Sequence, residues 1–383
     1  MNFTWEVPTR IYLGTDICEE ALAAERNCLK SCKALLVYTG HTLRENGTLA
    51  KLQGLLQENG CTEVLTYGGH GANPEISEAE TAGKQILEHG VNLIVALGGG
   101  SAIDLTKGAA VAAASDVSLR DHLVKGIPAP DKILPLIALP TTAGTGSELS
   151  KGAILSDREL KIKGGIRGKS LAPKIAIVDA AFTWSMPEKL TMETGFDALA
   201  HAIESYLSRK ANLHSEQLSL QAIRLIGENL PKLKRDLSDS EAREKMSYAS
   251  MLMGMNLYNV GNCLPHRMQY PIGALTDTSH AMGLAALYPG WIKTEYKVCQ
   301  GKVMDVFRCL LNRTPRSAQE AEELMANFLM ELGLCVNLKK LGVKEGEIAA
   351  MVEKISGDIS VDPAGGEDGI CRRLYTAAME YRR

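Results

Sequence analysis

Up to about residue 183 this sequence alternates between two patterns, and that alternation limits its fold more than any other feature. The short aliphatic runs ALLVY (34–38), TEVLTY (62–67), NLIVAL (92–97), LPLIAL (134–139) and KIAIVD (174–179) are bounded by Gly, Pro or Asn and read as buried strands. Between them, NGTLAKLQGLLQENG and EISEAETAGKQILEHG carry apolar residues at helical spacing. Strand, helix and strand in succession require parallel pairing, so a doubly wound parallel sheet is expected. After Trp184 the strand signal fades. ALAHAIESYLS, SEQLSLQAIRLIGENLPKL, EAREKMSYASMLMGMNLY and SAQEAEELMANFLMELGL all show a 3.6-residue period. The expectation is an α/β domain over residues 1–183 and an all-helical bundle over 184–383, divided near TWSMP (183–187), with Pro187 starting the first bundle helix.

A chain of 383 residues is long enough for two such cores. Its formal net charge is −3 and it has no long run of Lys and Arg, which argues against nucleic acid as a partner. The longest apolar stretches, such as NLIVALGGGSAI, are broken by glycine, and MNFTWEVPTR lacks a signal pattern, so no membrane span is expected. Nine cysteines are scattered from Cys18 to Cys371, and the lone CxxxC of Cys28 and Cys32 is not a zinc-ribbon spacing. A reducing cytoplasm fits that usage.

LIVALGGGSAIDLTKGAA sets Gly98, Gly99, Gly100 and Ser101 between a buried strand and a helix. A doubly wound fold binds phosphate at such a turn, where glycines expose backbone N–H groups and the helix N-terminus attracts negative charge. The turn departs from GxGxxG, and a tight structural turn without a ligand is the competing reading. LPTTAGTGSELS follows the next strand and supplies Thr141, Thr142, Thr145 and Ser147, hydroxyls suited to the ribose and nicotinamide ends of a dinucleotide. Two such turns in one half favour a nucleotide. KGGIRGKS (163–170) ends like a Walker A loop, but it has Lys163 where the first glycine belongs and follows a basic, polar stretch.

Of eight histidines, His41, His70, His89, His122 and His214 fall in loops or on polar helical faces, where solvated or loop-bonding roles are the default. In FDALAHAIESY (196–206), Asp197 and His201 are one helical turn apart and share a face. They fit a surface pair, a helix cap at Asp197, or half of a metal site. His266 and His280 lie in NVGNCLPHRMQYPIGALTDTSHAMG, a Gly- and Pro-broken apolar segment. One carboxylate and three imidazoles suit a divalent first-row ion if they converge, with Fe²⁺, Zn²⁺, Co²⁺ and Ni²⁺ all fitting.

These elements, in order, resemble the iron-containing (group III) alcohol dehydrogenases over essentially the full length. The matching stretches are PTRIYLG, GANP (71–74), GGGSAIDLTK, PTTAGTGSE, Lys163 before SLAPKIAIVD, GFDALAHAIESYLSRK and HRMQYPIGALTDTSH. The resemblance implies a dehydroquinate synthase-like fold with the site in a cleft, and Asp197, His201, His266 and His280 as the metal ligands. It implies that Gly98, Gly99, Gly100, Ser101 and Asp104 form the pyrophosphate-binding turn of a dinucleotide site and that Asn73 also contacts the cofactor. Thr141, Thr142, Thr145 and Ser147 then hold its adenosine and nicotinamide portions, and Lys163 lies along it. The implied metal is Fe²⁺, with Zn²⁺ or another divalent ion as the alternative. The implied reaction is hydride transfer between nicotinamide C4 and a small alcohol or aldehyde held by its oxygen on the metal, in a homodimer or higher homo-oligomer.

The first strand is followed by Thr39, Gly40, His41 and Thr42, with Arg44 nearby and no acid until Glu45. Hydroxyls, backbone N–H groups and a base suit a 2′-phosphate, so the chain resembles the NADP-using branch, with NAD as the alternative. Many members carry a second histidine four residues after the third ligand; here Tyr270 stands there and is the candidate for proton transfer, or packs over the cofactor. Tyrosines relay protons but are weak bases at neutral pH. Lys151 and Gly152 are expected near the cleft, and a small aliphatic aldehyde or diol is the default substrate. A lyase of the dehydroquinate synthase kind and a catalytically silent nucleotide sensor are the rival readings.

Overall fold

The run LIVALG is buried at every position, as a strand must be when both faces of its sheet are covered. It is β4 (Leu93–Gly98) in a computed structural model that describes residues 2–69 and 71–380. With β1 (Arg10–Gly14), β2 (Lys33–Thr39), β3 (Glu63–Gly69), β5 (Leu136–Pro140) and β8 (Ile175–Asp179) it forms a six-stranded sheet in the order β1-β8-β5-β4-β2-β3. Every pairing in it is parallel. Helices of eleven residues or more are numbered along the chain: α1 Thr48–Glu58, α2 Ile76–Glu88, α3 Gly100–Ala114, α4 Glu188–Leu207, α5 Leu213–Arg235, α6 Ser240–Asn259, α7 Leu264–Thr276, α8 His280–Val298, α9 Gln300–Leu311, α10 Ala318–Glu331 and α11 Ile370–Glu380.

Successive strand residues point to opposite faces, and the two cores divide accordingly. Leu35, Val37, Ile94, Ala96, Leu136 and Ala138 pack with α2 and α3. Their neighbours Leu36, Leu93, Val95, Leu97, Ile137 and Leu139 pack with Leu49, Leu52, Leu55 and Leu56 of α1. This is the expected doubly wound parallel sheet, followed by a helical C-terminal region.

The α/β unit also holds strands that the hydrophobic pattern does not announce. β1 lies at the edge beside β8 and buries only part of its surface, so RIYLG carries no continuous apolar run. β6 (Gly152–Asp157) and β7 (Ile162–Arg167) form a separate antiparallel hairpin. β7 reads IKGGIR, and its two glycines and two basic residues hide it. The Walker-like KGGIRGKS is therefore the second strand of a hairpin followed by one 3-10 turn, Lys169–Leu171, and not a strand–loop–helix.

The chain divides into two compact units. One comprises Glu6–Thr142 and Gly146–Ser185; the other takes the start of the chain through Trp5, residues 143–145 and everything from Met186. Residues 143–145 join the helical unit because Gly144 lies against α4: a Cβ there would sit 2.4 Å from the Thr194 carbonyl oxygen. Among the described residues, no helix is long and apolar enough to cross a membrane.

Candidate functional site

Pro187 caps α4, which starts at Glu188, so Asp197 stands well inside the helix and the capping role open to it from sequence is gone. Asp197 and His201 are both buried there, four apart on one face. The turn at Gly261, whose φ is +81°, leads into α7, where Pro265 and His266 are the second and third residues of the first turn. His280 is the first residue of α8, whose N-cap Ser279 accepts from the Met282 N–H.

The three imidazoles converge on the Asp197 carboxylate. Asp197 Oδ1 lies 3.4 Å from His266 Nε2, 3.5 Å from His280 Nε2 and 3.6 Å from His201 Nε2. A tetrahedral ion with ligand bonds of about 2.1 Å separates its ligand atoms by about 3.4 Å, which is the spacing from Asp197 to each imidazole, and the ligand atoms of Asp197, His201 and His266 all lie within 4.8 Å of one another. Asp197 Oδ1 and His266 Nε2 are also buried without a hydrogen-bond partner, a cost that a cation removes. The donor set therefore fits a divalent metal ion.

Each imidazole is fixed from its far side. His201 Nδ1 meets Asn262 Oδ1 at 3.0 Å, His266 Nδ1 meets Glu204 Oε1 at 2.6 Å, and His280 Nδ1 meets Gln269 Oε1 at 2.5 Å. An acceptor on Nδ1 leaves the Nε2 lone pair for the centre and sets the ring's orientation. Gln269 reaches His280 because Gly283 of α8 leaves it room: a Cβ there would lie 2.8 Å from Gln269 Cγ.

The electrostatics agree. Burial raises the Asp197 carboxyl, but the nearby His201, His280 and His266 imidazoles outweigh it and hold it below the usual carboxylate range. Burial, then His266, brings His201 down to about 4. Burial also lowers His266, yet Glu204 and Asp197 together push it up to about 9. Two buried carboxylates thus draw positive charge to this spot.

The glycine-rich turn lies at the carboxyl edge of the sheet, where β2 and β4 part and the strand order reverses. Gly98 adopts φ +149°, and a Cβ on it would lie 2.7 Å from that of Ala102 and 3.2 Å from Thr39 Oγ1. At Gly99 a Cβ would crowd Thr142 at 3.1 Å. Only glycines admit this approach. Thr39, Gly98, Gly99 and Thr142 therefore sit together, and Thr141 joins them by donating its N–H to the Gly98 carbonyl at 3.0 Å. Gly100 and Ser101 begin α3, while Gly40, His41 and Thr42 follow β2 on the exposed surface.

Other candidates are tied to one another. Lys163 on β7 donates to Asn73 Oδ1 at 2.7 Å. Asp104 accepts from the Ser147 hydroxyl at 2.5 Å and the Ile154 N–H at 3.1 Å, so it links α3 to the second loop and to β6. Thr145 falls in the stretch that groups with the helical unit. Tyr270 is buried, with its ring inclined 27° to that of His280 at 6.4 Å between centroids.

Among the histidines assigned bland roles, His122 bonds Ser115 and the Ile127 carbonyl, and His214 packs edge-on to Trp5. His70 lies outside the described residues. Asn262, Glu204, Gln269 and Lys107 were not singled out from sequence, although Glu204 falls three residues after His201 on the same helical face.

Residues 8–180 match the sequence model for iron-containing alcohol dehydrogenase, and residues 191–361 match that for the C-terminal part of the Fe-containing alcohol dehydrogenase family. The 1,3-propanediol dehydrogenase of Klebsiella pneumoniae is 31% identical over 98% of this chain and 99% of its own length. The NADPH-dependent butanol dehydrogenase of Clostridium saccharobutylicum is 30% identical over 93% of this chain and 90% of its own. A crystal structure of 1,3-propanediol oxidoreductase superposes with a TM-score of 0.90 at 30% identity, covering 99% of this chain and 100% of that one.

Proposed function

From the chain's membership of the iron-containing alcohol dehydrogenase family, which makes it an NAD(P)-dependent oxidoreductase of alcohols, we propose that it is an NADP-preferring reductase of small aliphatic aldehydes and the corresponding alcohol or diol dehydrogenase. In this reading Asp197, His201, His266 and His280 hold the metal, Fe²⁺ first and Zn²⁺ or another first-row ion as substitute. The observation that carries it is the convergence of three Nε2 atoms on Asp197 Oδ1 at 3.4–3.6 Å, with each ring's other nitrogen occupied by an acceptor.

When bound, the ion supplies Lewis acidity toward the substrate oxygen and the nicotinamide supplies or accepts the hydride. The protein's own part is placement. Burial of Asp197, His201 and His266 keeps water from the ligand atoms, while His280, with 28% of its side chain exposed, marks the open side. The Gly98–Ser101 turn and the start of α3 offer N–H groups to the pyrophosphate, and the Thr141–Thr145 loop offers hydroxyls to the sugar and nicotinamide. Homo-oligomerisation and a cytoplasmic location belong to the same proposal.

The absence of an acid between Thr39 and Arg44 supports NADP. In an aldehyde panel run on protein of measured metal content, kcat/KM with NADPH should exceed that with NADH by about tenfold or more, the scale of one charged hydrogen bond. Arg44→Ala should narrow the gap by lowering the NADPH value alone. Equal efficiencies, or NADH preferred, would overturn the cofactor assignment. NADPH binding without turnover of any aldehyde would leave a silent sensor.

Tyr270 stands beside His280 and is proposed to relay the substrate proton. Tyr270→Phe should lower turnover about 10- to 100-fold and shift its pH profile. A variant with unchanged turnover and profile would leave Tyr270 as packing.

A further inference from the structure

Behind the proposed metal centre, the helical unit buries a second pair of carboxyl groups. Asp362 and Glu295 are both 0% exposed. Asp362 Oδ2 accepts from the Leu264 N–H at 3.0 Å and from Trp291 Nε1–H at 3.0 Å, and its Oδ1 accepts from the Ala364 N–H at 3.0 Å. Glu295 Oε1 is buried and meets no donor, and its carboxyl hydrogen-bonds Asp362. Two carboxyl groups in contact in a protein interior share a proton rather than both ionise. Burial pushes both carboxyls up; because Asp362 already accepts three N–H groups and Glu295 Oε1 meets no donor, the proton sits on Glu295 and Asp362 accepts it.

That arrangement meets the helix carrying His266 at its first turn. Cys263 is the N-cap of α7 and Leu264 its first residue; Pro265, next, has no N–H. The Cys263 N–H goes to Glu204 Oε2 at 2.8 Å and the Leu264 N–H to Asp362 Oδ2 at 3.0 Å. Glu204 also accepts from His266 Nδ1. Two carboxylates thus take consecutive N–H groups at the positive end of α7. Asp362 is itself anchored to the end of α4: Arg209 donates its N–H to the Val361 carbonyl at 2.7 Å and its guanidinium to the carbonyls of Asp362 and Pro363.

We propose that Asp362 is a positioning residue for the metal centre: hydrogen-bonded by Glu295, it joins the end of α4 to the start of α7 and so, with Glu204, fixes where His266 presents Nε2. The inference rests on the reading of Asp197, His201, His266 and His280 as ligands. In Asp362→Asn the amide can accept through one oxygen only, so one face of it turns N–H against N–H. In Glu295→Gln the amide still donates to Asp362.

The test uses Co²⁺ as the probe, titrated into the full-length chain after chelation and read by its d–d absorption and by competition with a chelator. Asp362→Asn should weaken Co²⁺ about 10- to 100-fold and alter the band, the usual cost of losing an outer partner of a metal ligand. Glu295→Gln should stay within about threefold of wild type, while Glu295→Ala should lose about tenfold. NADPH affinity should not change in any of them. The inference is overturned by an Asp362→Asn protein that keeps affinity and band, by Glu295→Gln falling as far as Asp362→Asn, or by NADPH affinity falling in step. If Asp362→Asn does not yield folded protein, equal affinities in the Gln and Ala variants at 295 overturn it. Wild type that takes up no Co²⁺ would overturn the ligand reading itself, whereas wild type that binds and variants that match it would overturn only this inference.

Discussion

His266→Ala should leave the chain without bound metal and without measurable dehydrogenase activity. The substitution removes a proposed ligand atom 3.4 Å from Asp197 Oδ1 and at the same time strips Glu204 of its 2.6 Å partner. Glu204 is fully buried and would keep only the Cys263 N–H and the more distant Tyr288 hydroxyl. Breaking a buried charged pair by deleting one member costs about 3–5 kcal/mol, so the variant should be less stable even before metal binding is considered. Wild type should lose thermal stability on chelation, because a ligand present at a thousand times its Kd contributes about 4 kcal/mol. The variant's Tm should not respond to chelator at all. Full metal content by elemental analysis, or a chelator response equal to wild type, would remove His266 from the ligand set.

Lys107→Met should be the most damaging single change in the other unit. The Lys107 ammonium is fully buried and donates to the carbonyls of Ser147, Ser150 and Gly152 at 2.7, 2.9 and 3.0 Å, with the Ser150 and Ser147 hydroxyls at 3.1 and 3.3 Å. Burial lowers it to about 8, where Asp104 and Glu148 still keep it protonated at neutral pH. It serves the second loop as a tethered cation, gathering three backbone oxygens of the Ser147–Gly152 stretch on one ammonium. Its removal also strands Glu148, already pushed up to about 7 by burial. The cost should be about 3–5 kcal/mol, which lowers Tm by on the order of 10 °C for a unit of this size. The KM for the nicotinamide cofactor should rise as the Thr141–Thr145 loop loosens, with metal content unchanged. A Lys107→Met protein melting within about 2 °C of wild type would show that the loop holds itself.

How much of this was legible beforehand depended on the range of the interactions. β4 and β5 announced themselves because both faces of each are covered, so LIVALG and LIALP are apolar throughout. β7 stayed hidden because a hairpin strand can carry Gly164, Gly165 and Lys163 when its partner supplies the pairing. Asp197 and His201 could be paired on paper, since four residues is one helical turn. Glu204 was in the same quoted stretch, but its role requires His266, sixty-two positions later. Asn262, Gln269 and Asp362 gave no sign because each acts on a group whose position only folding brings near.

Local order thus decided one part of this protein and long-range contact the other. Hydrophobic period and glycine placement are properties of neighbouring residues, and they sufficed for a parallel sheet, a helical second half and a phosphate-type turn at Gly98–Ser101. Ordered motifs carried the family and the four proposed ligand positions. The tertiary structure alone decided that three imidazole nitrogens meet Asp197 Oδ1 at 3.4–3.6 Å, that each imidazole is turned by an acceptor from a different segment, and that Lys107 and Asp362 are buried charges. A buried polar group must be satisfied by whatever the fold brings within about 3 Å. That distance has no counterpart along the chain.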